Sequence, residues 1–199
     1  MKKLICSGLL LLTIMAIAGC SKKVININTE DITANTILAK PNGTLQVATV
    51  EDFDKEYYKL GELEEFIAEE IKAFNQKAGS EAITIDDVQL KNGKAIMILS
   101  YSGMESYASF NEVTAAYFNG GVTDIPLTLP GTLISTKNSS YISTDEVLAN
   151  SKLKVIILTE PYDILVQGDV KYYSDNGELL EDNKVRGADS GMTVVVYKP

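Results

Sequence analysis

The chain has 199 residues, of which 45% are hydrophobic and 23% are charged. This balance is typical of a folded, water-soluble domain, and it excludes a disordered chain and a multi-span membrane protein. The sequence contains no histidine and no tryptophan, and acidic residues outnumber basic residues by 27 to 18. The lack of histidine excludes imidazole-ligated metal centres and nucleophiles of the Ser-His-Asp or Cys-His type.

The first twenty residues differ in character from the rest of the chain. Lys2 and Lys3 precede an apolar run over residues 4–17, which is shorter than the roughly 20 residues that a membrane-spanning helix needs. Residues 17–20 read Ile-Ala-Gly-Cys and resemble the lipobox of bacterial lipoproteins. The resemblance implies that the signal peptide is cleaved before Cys20, and that Cys20 carries diacylglycerol and palmitate as a membrane anchor.

Removal of residues 1–19, the predicted signal peptide, leaves a more acidic chain without a free thiol. The net charge changes from −9 to −11 because two lysines are lost; Cys6 leaves with the signal peptide, and Cys20 is acylated. A negative domain lacks the basic surface that nucleic acids require, and anionic lipid headgroups do not attract it. We therefore predict a protein held at the extracytoplasmic face of the cell membrane by its lipid, with no nucleic-acid partner and no cofactor.

The remaining chain divides into a polar segment and one domain. Residues 20–43 are rich in Asn, Thr and Ser and end in a turn cluster, which predicts a lipidated tether with one strand near 36–39. Residues 44–199 are long enough to form a hydrophobic core and predict a single domain.

The domain begins with a predicted strand and the clearest helix of the sequence. Alternation of apolar and polar residues indicates a strand over 44–50. Apolar residues three and four apart predict a helix over 60–78, and the order of its charges, acidic first and basic last, suits the helix dipole. Gly79 is the expected C-terminal cap.

A hairpin and a second helix are predicted next. Two apolar stretches, 83–90 and 95–101, flank an Asn-Gly pair, the strongest short signal for a two-residue hairpin turn. Ser102 and Glu105 then have the spacing of a capping box, and an aromatic stripe predicts that a helix continues to the glycines at 120–121. The stripe consists of Tyr107, Phe110, Val113, Thr114 and Tyr117.

The last third of the sequence predicts strands more than helices. A strand over 132–135 and a brief helix over 143–150, with Ser143 and Glu146 as its capping box, precede a continuous apolar run. Further strands are predicted over 154–158, 162–166, 170–173 and 193–197. The order of elements predicts an α+β fold: a mainly antiparallel sheet with two amphipathic helices on one face, with a split βαβ core and extra C-terminal strands as one possible topology.

No cluster of residues predicts a metal or catalytic site. Glu65 and Glu69 are four apart on one predicted helix, but a solvated helix face is the simpler interpretation. Residues 175–183 carry oxygen ligands without the spacing of a calcium loop. Residues 151–154 and 174–176 match two motifs of penicillin-binding enzymes, but the third motif is absent.

Three functions remain open at this point, of which a purely structural or assembly-factor lipoprotein is the least specific. A long polar connection over residues 122–151 is where binding is expected on a rigid scaffold, and it favours a non-enzymatic module for an unknown protein or small ligand. The candidate binding residues in this loop are Pro126, Pro130, Asn138, Ser139 and Tyr141. The alternative is a hydrolase of cell-wall or extracellular glycan that uses paired carboxylates, which need no histidine.

Three further stretches carry a broader resemblance. Residues 49–54 read Thr-Val-Glu-Asp-Phe-Asp and lead into residues 62–67; residues 170–174 read Val-Lys-Tyr-Tyr-Ser and the chain closes on Val-Tyr-Lys-Pro. This pattern is similar to small cell-surface lipoproteins of gut Clostridia that have no assigned activity. The resemblance implies an envelope location and a single domain, and it transfers no functional residue.

Overall fold

A computed structural model describes residues 25–122 and 125–199. Three helices are present in this part of the chain: α1 (Leu60–Ala78), α2 (Met104–Asn111) and α3 (Thr144–Leu148). The strands are β1 (Thr36–Ala39), β2 (Leu45–Asp52), β3 (Ile83–Lys91), β4 (Lys94–Tyr101), β5 (Ala115–Asn119), β6 (Thr132–Ser135), β7 (Tyr141–Ser143), β8 (Lys154–Leu158), β9 (Asp163–Val166), β10 (Asp169–Tyr173), β11 (Glu178–Glu181), β12 (Lys184–Arg186) and β13 (Thr193–Lys198).

The strands form two sheets, which confirms the predicted α+β class. Sheet A has the order β11-β12-β9-β1-β2-β4-β3, and sheet B has the order β5-β8-β13-β10-β6-β7. Within the described residues β1 and β9 form the single parallel pair, so both sheets are mainly antiparallel. None of the helices in these residues is both long and apolar enough to span a membrane.

The two sheets face each other across the main hydrophobic core. This core joins residues of sheet A, such as Val47 and Leu99, to residues of sheet B, such as Ile156 and Tyr197. Helices α1 and α2 both pack against this core; α1 contacts β3 of sheet A, and α2 contacts β4 of sheet A and β5 of sheet B. The outer face of each sheet is also apolar. Ile27 and its neighbours cover this face on sheet A, and α3 covers it on sheet B.

Strand β8 shows why sheet B needs cover on both faces. Ile156 and Leu158 point into the main core, whereas Val155 and Ile157 belong to the cluster on the outer face. All four side chains are buried. A continuous apolar run is therefore stable in this strand because both faces of the sheet are shielded from water.

The helix and the hairpin in the first half confirm the sequence predictions. Helix α1 spans residues 60–78, and Gly79 ends it in the left-handed conformation, with φ of 68°. Asn92 and Gly93 both have positive φ in the two-residue turn between β3 and β4. The turn therefore takes the backbone twist that matches the flanking strands.

The prediction of a long second helix is wrong. Helix α2 ends at Asn111, Glu112 adopts the left-handed conformation, and the chain then enters β5. The β-branched Val113 and Thr114 are poor helix formers, and β5 pairs with β8 as the edge strand of sheet B. The aromatic stripe therefore belongs partly to a helix and partly to a strand.

Neither predicted capping box forms. Gly103, not Ser102, occupies the N-cap of α2, and the Ser102 hydroxyl is hydrogen-bonded to Ser106 instead. Ser143 is the N-cap of α3 but makes no side-chain cap bond, and this helix ends at Leu148, short of the predicted residue 150. Strands β7, β11 and β12 are additional elements that the sequence analysis did not predict.

The predicted tether is corrected for residues 25–43. The strand expected near 36–39 is confirmed as β1, but it lies inside sheet A, between β2 and β9. Ile27 is buried, and its backbone N–H donates to the Gln46 side chain at 2.7 Å. The folded domain thus begins well before residue 44, because these residues complete the sheet and cover its outer face.

The split βαβ unit is confirmed in sheet A, but the predicted strand after α2 does not join it. Strands β2 and β3 are joined by α1, and each is an antiparallel neighbour of β4, so β2 and β3 run parallel with β4 between them. The strand after α2, β5, leaves sheet A altogether and joins sheet B. Helix α2 therefore connects the two sheets.

Candidate functional site

Residues 121–122 and 125–131, which we call the strap, lie on the outer face of sheet B. In its described part, Ile125, Leu127 and Leu129 are half-buried and pack on the apolar cluster of this face, whereas Pro126 and Thr128 are exposed. This alternation is the period of an extended chain with one face on a protein surface. The strap thus behaves like a strand in its burial, although it belongs to neither sheet.

The N-terminal end of the strap is fixed to the segment around α3. Gly120 N–H donates to the Leu153 carbonyl oxygen at 2.9 Å, and Gly121 N–H donates to the Leu148 carbonyl oxygen at 2.6 Å. Gly120 also lies so close to Asn150 that a Cβ at position 120 would collide with the Asn150 carbonyl group. A glycine is therefore required here for the backbones to approach.

The C-terminal end of the strap is fixed to the first residue of α3. The Thr144 hydroxyl donates to the Pro130 carbonyl oxygen at 2.5 Å, and the Thr144 N–H donates to the Gly131 carbonyl oxygen at 3.1 Å. Thr144 is buried, so water does not compete for these two bonds. Both ends of the strap are therefore attached to α3 and its flanks.

A pocket of about 700 Å³ opens between the strap and α3. Six apolar residues line most of it: Val122, Ile125, Leu127, Leu129, Leu148 and Ala149. Thr144 and the exposed Asp145 add polar groups to the wall. A concave site of this volume, whose wall combines apolar and polar groups, is within the size range of small-molecule sites.

The predicted binding residues are not gathered in one place. Pro130 lines the pocket, and Pro126 lies on the exposed side of the strap. Asn138 and Ser139 are in the turn between β6 and β7, at the far end of that hairpin from Pro130, and Tyr141 is exposed beside them. Cys20 lies outside the described residues.

The apolar residues of the pocket were missed by the sequence analysis. The signal was the alternation Ile-Pro-Leu-Thr-Leu over residues 125–129, which has the period of an extended segment. Pro126 and Pro130 indicate a loop, but Ile125, Leu127 and Leu129 beside them form the apolar wall of the pocket.

A second feature with unusual electrostatics is Glu160, in the connection between β8 and β9. Its Oε2 atom is buried and has no hydrogen-bond partner among the described residues. Burial raises the pKa of the Glu160 carboxyl above its usual value, and the negative charge of Glu160 in turn helps to raise the pKa values of Tyr107 and Tyr162, for which burial is the main cause. Glu160 lines none of the pockets described in this structure, so the geometry does not join it to a ligand site.

An ion cluster around the buried Asp163 lies next to this connection. Asp163 is 5% exposed and forms ion pairs with Lys184 Nζ at 2.8 Å and with Arg186 Nε at 3.3 Å. Arg186 also contacts Glu178 at 3.4 Å. The three strands β9, β12 and β11 carry these residues side by side, so the cluster ties the edge of sheet A together.

The candidate cation ligands of the sequence remain on the surface. Glu65 and Glu69 are exposed on α1. In the 175–183 segment, the Asn176 side chain donates to the Met192 carbonyl oxygen, which is a role in holding a turn. Across residues 25–122 and 125–199, no group of three or more acidic or cysteine side chains is arranged to hold a metal ion.

The chain matches no known protein family, no curated protein and no solved structure.

Proposed function

We propose that this protein is a lipid-anchored, non-enzymatic binding module of the bacterial cell envelope, held at the extracytoplasmic face of the membrane through acylated Cys20. The lipobox pattern at residues 17–20 supports the anchor. The strap pocket supports the binding role, and it is the observation that carries the proposal. A ligand site formed by a segment fixed at both ends needs little ordering when the ligand binds.

The lining of the pocket favours a ligand with an apolar body and one polar or cationic group. Leu127 and Leu148 supply apolar area, which gains free energy when it leaves water at roughly 25 cal/mol per Å². Asp145 at the wall of the pocket is suited to an amine or a hydroxyl group. Large anionic ligands are disfavoured because the whole chain carries a net charge of −9.

A fluorescent probe tests the binding role. The neutral dye N-phenyl-1-naphthylamine should gain fluorescence with the wild-type full-length chain, because it is apolar and brightens on leaving water. Ala149→Trp places a large side chain at the pocket wall and should abolish most of this gain. Ala78→Trp is the matched control, because Ala78 is exposed at the end of α1 and away from the strap.

Equal dye fluorescence in both tryptophan variants would contradict a site under the strap. A thermal melt of each variant separates this outcome from misfolding, since both substitutions are at exposed positions and should leave the melting temperature nearly unchanged.

The anchor is tested separately by metabolic labelling with palmitate. The wild-type chain should incorporate label and partition with the membrane, whereas Cys20→Ala should do neither. Labelling that is unchanged in Cys20→Ala would contradict the lipobox interpretation without affecting the pocket.

A further inference from the structure

A small polar pocket, which we call the strand-end pocket, lies at one end of sheet A and shares no lining residue with the strap pocket. Four neighbouring strands begin or end there, in the order β1-β2-β4-β3. The pocket has a volume of about 270 Å³. This is below the range of roughly 300–1,000 Å³ that holds drug-sized ligands, so a ligand that fills it is smaller, about the size of an amino acid.

The two charged residues that line this pocket lie at its opposite ends. Lys40 directly follows β1, and Glu81 shortly precedes β3, so three strand spacings separate them across the sheet. Because neighbouring strands are about 4.8 Å apart, the two backbones are about 14 Å apart. Both side chains line the space between, so one small ligand there can contact a positive charge at one end and a negative charge at the other.

Neither of these charges is neutralised by another side chain in the part of the chain that the structure describes. Lys59, Lys91 and Lys94 each contact a carboxylate oxygen, at 2.8, 2.9 and 2.6 Å. Lys40 and Glu81 form no such ion pair within residues 25–122 and 125–199, and Lys40 is half-buried. A partly buried charge has lost some of its water, so an opposite charge on a ligand would compensate it.

Two hydroxyl groups between the charges are available as acceptors. The Thr44 hydroxyl donates to the Asn42 side chain at 2.8 Å, and the Ser100 hydroxyl donates to Asp86 at 2.7 Å. A hydroxyl has one proton and two lone pairs, so each oxygen can still accept a hydrogen bond but has no proton left to donate. This wall therefore suits a ligand that brings its own N–H donors, such as an ammonium group.

Short backbone bonds hold the walls of the strand-end pocket in place. The Lys40 N–H donates to the Thr44 carbonyl oxygen at 3.0 Å, and the Ser102 N–H donates to the Ala82 carbonyl oxygen at 2.8 Å. The buried Leu45 and Ala82 supply the apolar part of the lining, which can pack against a short alkyl group. Walls that are fixed before the ligand arrives need little ordering when it binds.

We propose that the strand-end pocket binds a small zwitterion of the α-amino acid type, with the ligand carboxylate at Lys40 and the ligand ammonium group at Glu81. A ligand with charge of a single sign is disfavoured, because it would face a like charge at one end of the pocket. Anions are disfavoured further by the net charge of −9 on the chain. The volume is too small for a peptide of several residues.

Nuclear magnetic resonance of the nitrogen-15-labelled full-length chain in detergent micelles tests this proposal. Three probes of similar size separate the two charges: alanine has both, propionate lacks the ammonium group, and ethylamine lacks the carboxylate. Alanine should shift the backbone amide signals of Thr84 and Ser102, which line the pocket. Its dissociation constant should be about tenfold or more below those of propionate and ethylamine, because each of these loses one charge-assisted contact.

Matched variants locate the binding. Lys40→Met and Glu81→Gln should each weaken alanine binding by about tenfold or more. Lys77→Met and Glu69→Gln make the same changes at exposed positions of α1 and should leave the binding unchanged. The double variant Lys40→Glu with Glu81→Lys exchanges the two charges, so it should bind alanine more tightly than either single variant does. A merely structural role of the two residues would give no such rescue.

Several outcomes would overturn the proposal: no amide shift with alanine, equal affinity for all three probes, or equal weakening by the pocket variants and their controls. Binding of propionate alone would assign the pocket to an anion held by Lys40, and binding of ethylamine alone to a cation held by Glu81. Circular dichroism identifies a variant that has unfolded, and the three probes then still test the wild-type chain. None of these results bears on dye binding under the strap, so the two sites are tested independently.

Discussion

Gly120→Ala is the sharpest test of how the strap is held. The added Cβ would meet the Asn150 carbonyl group, and because both atoms belong to close-packed backbone, one segment has to move. Overpacking of this kind costs about 1–3 kcal/mol. Movement of the strap also breaks the bonds from Gly120 to Leu153 and from Gly121 to Leu148, at about 1 kcal/mol each. We therefore expect the free energy of unfolding to fall by about 3–5 kcal/mol.

Urea denaturation followed by circular dichroism measures this change. Gly61→Ala is the matched control, because Gly61 lies at the start of α1, where an added Cβ would have no neighbouring atom within 4 Å, and alanine there should be neutral or stabilise by up to about 1 kcal/mol. Gly120→Ala should also reduce binding of the naphthylamine dye. A loss of less than about 1 kcal/mol with unchanged dye binding would refute the close approach of the strap to the α3 segment.

Three further predictions concern buried or partly buried polar groups. Burial raises the folded-state pKa of the Glu160 carboxyl above its unfolded value near 4.5. The protonated carboxyl therefore favours the folded state below about pH 4.5, and this contribution is lost as the pH rises through the folded-state pKa. In calorimetry, Glu160→Gln should raise the melting temperature at pH 7 and have little effect at pH 4. Asp163→Asn weakens two ion pairs whose basic partners are partly exposed, and it should cost about 1–2 kcal/mol in urea denaturation. Asn75→Ala removes both bonds to Ile83, so it should cost about 1–2 kcal/mol and increase light scattering by opening the strand edge.

Local sequence patterns predicted the elements correctly where a single hydrophobic period, that of a helix or that of a strand, dominates the segment. The stripe of α1 and its C-terminal Gly79 defined the helix to the residue, and the Asn-Gly pair defined the β3–β4 turn. The spacing of Ile85 and Val88 is an exception to the period of two, but it causes no error because the bulge between them absorbs the extra residue. Periodicity is reliable in these elements because each has one buried face.

Sequence patterns gave the wrong element where a segment fitted a helix and tertiary strand pairing determined its structure. The aromatic residues from Tyr107 to Tyr117 fit a helix, but Tyr117 lies in β5, where its hydroxyl group is 3.2 Å from that of Tyr197. The pairing of β5 with β8 overrides helix propensity in this segment. The assignment of strands to two sheets likewise depends on long-range contacts, so the local pattern suggested a single sheet.

The candidate site could also be predicted only in part from local sequence patterns. A long polar binding loop was expected over residues 122–151, but its described part contains β6, β7 and α3, and Pro130 is the one candidate residue in the pocket wall. The pocket itself depends on α3 lying against the strap, and this contact is made by Thr144 through bonds to backbone carbonyls. No local pattern reports such a contact, because carbonyl acceptors are present at every residue.

The position of the N-terminal segment determines how a chain acylated at Cys20, as proposed, would present the strap pocket. Ile25 packs on the outer face of sheet A, and five residue steps separate it from Cys20, so an extended connection reaches at most about 18 Å. The strap covers the outer face of sheet B, and the paired sheets and their covering layers separate the two faces by about 20–30 Å. An anchor at Cys20 therefore keeps sheet A near the bilayer and turns the strap pocket away from it. Energy transfer from a dye at Glu30→Cys to headgroup acceptors should exceed transfer from a dye at Thr128→Cys, and equal transfer from both would contradict this orientation.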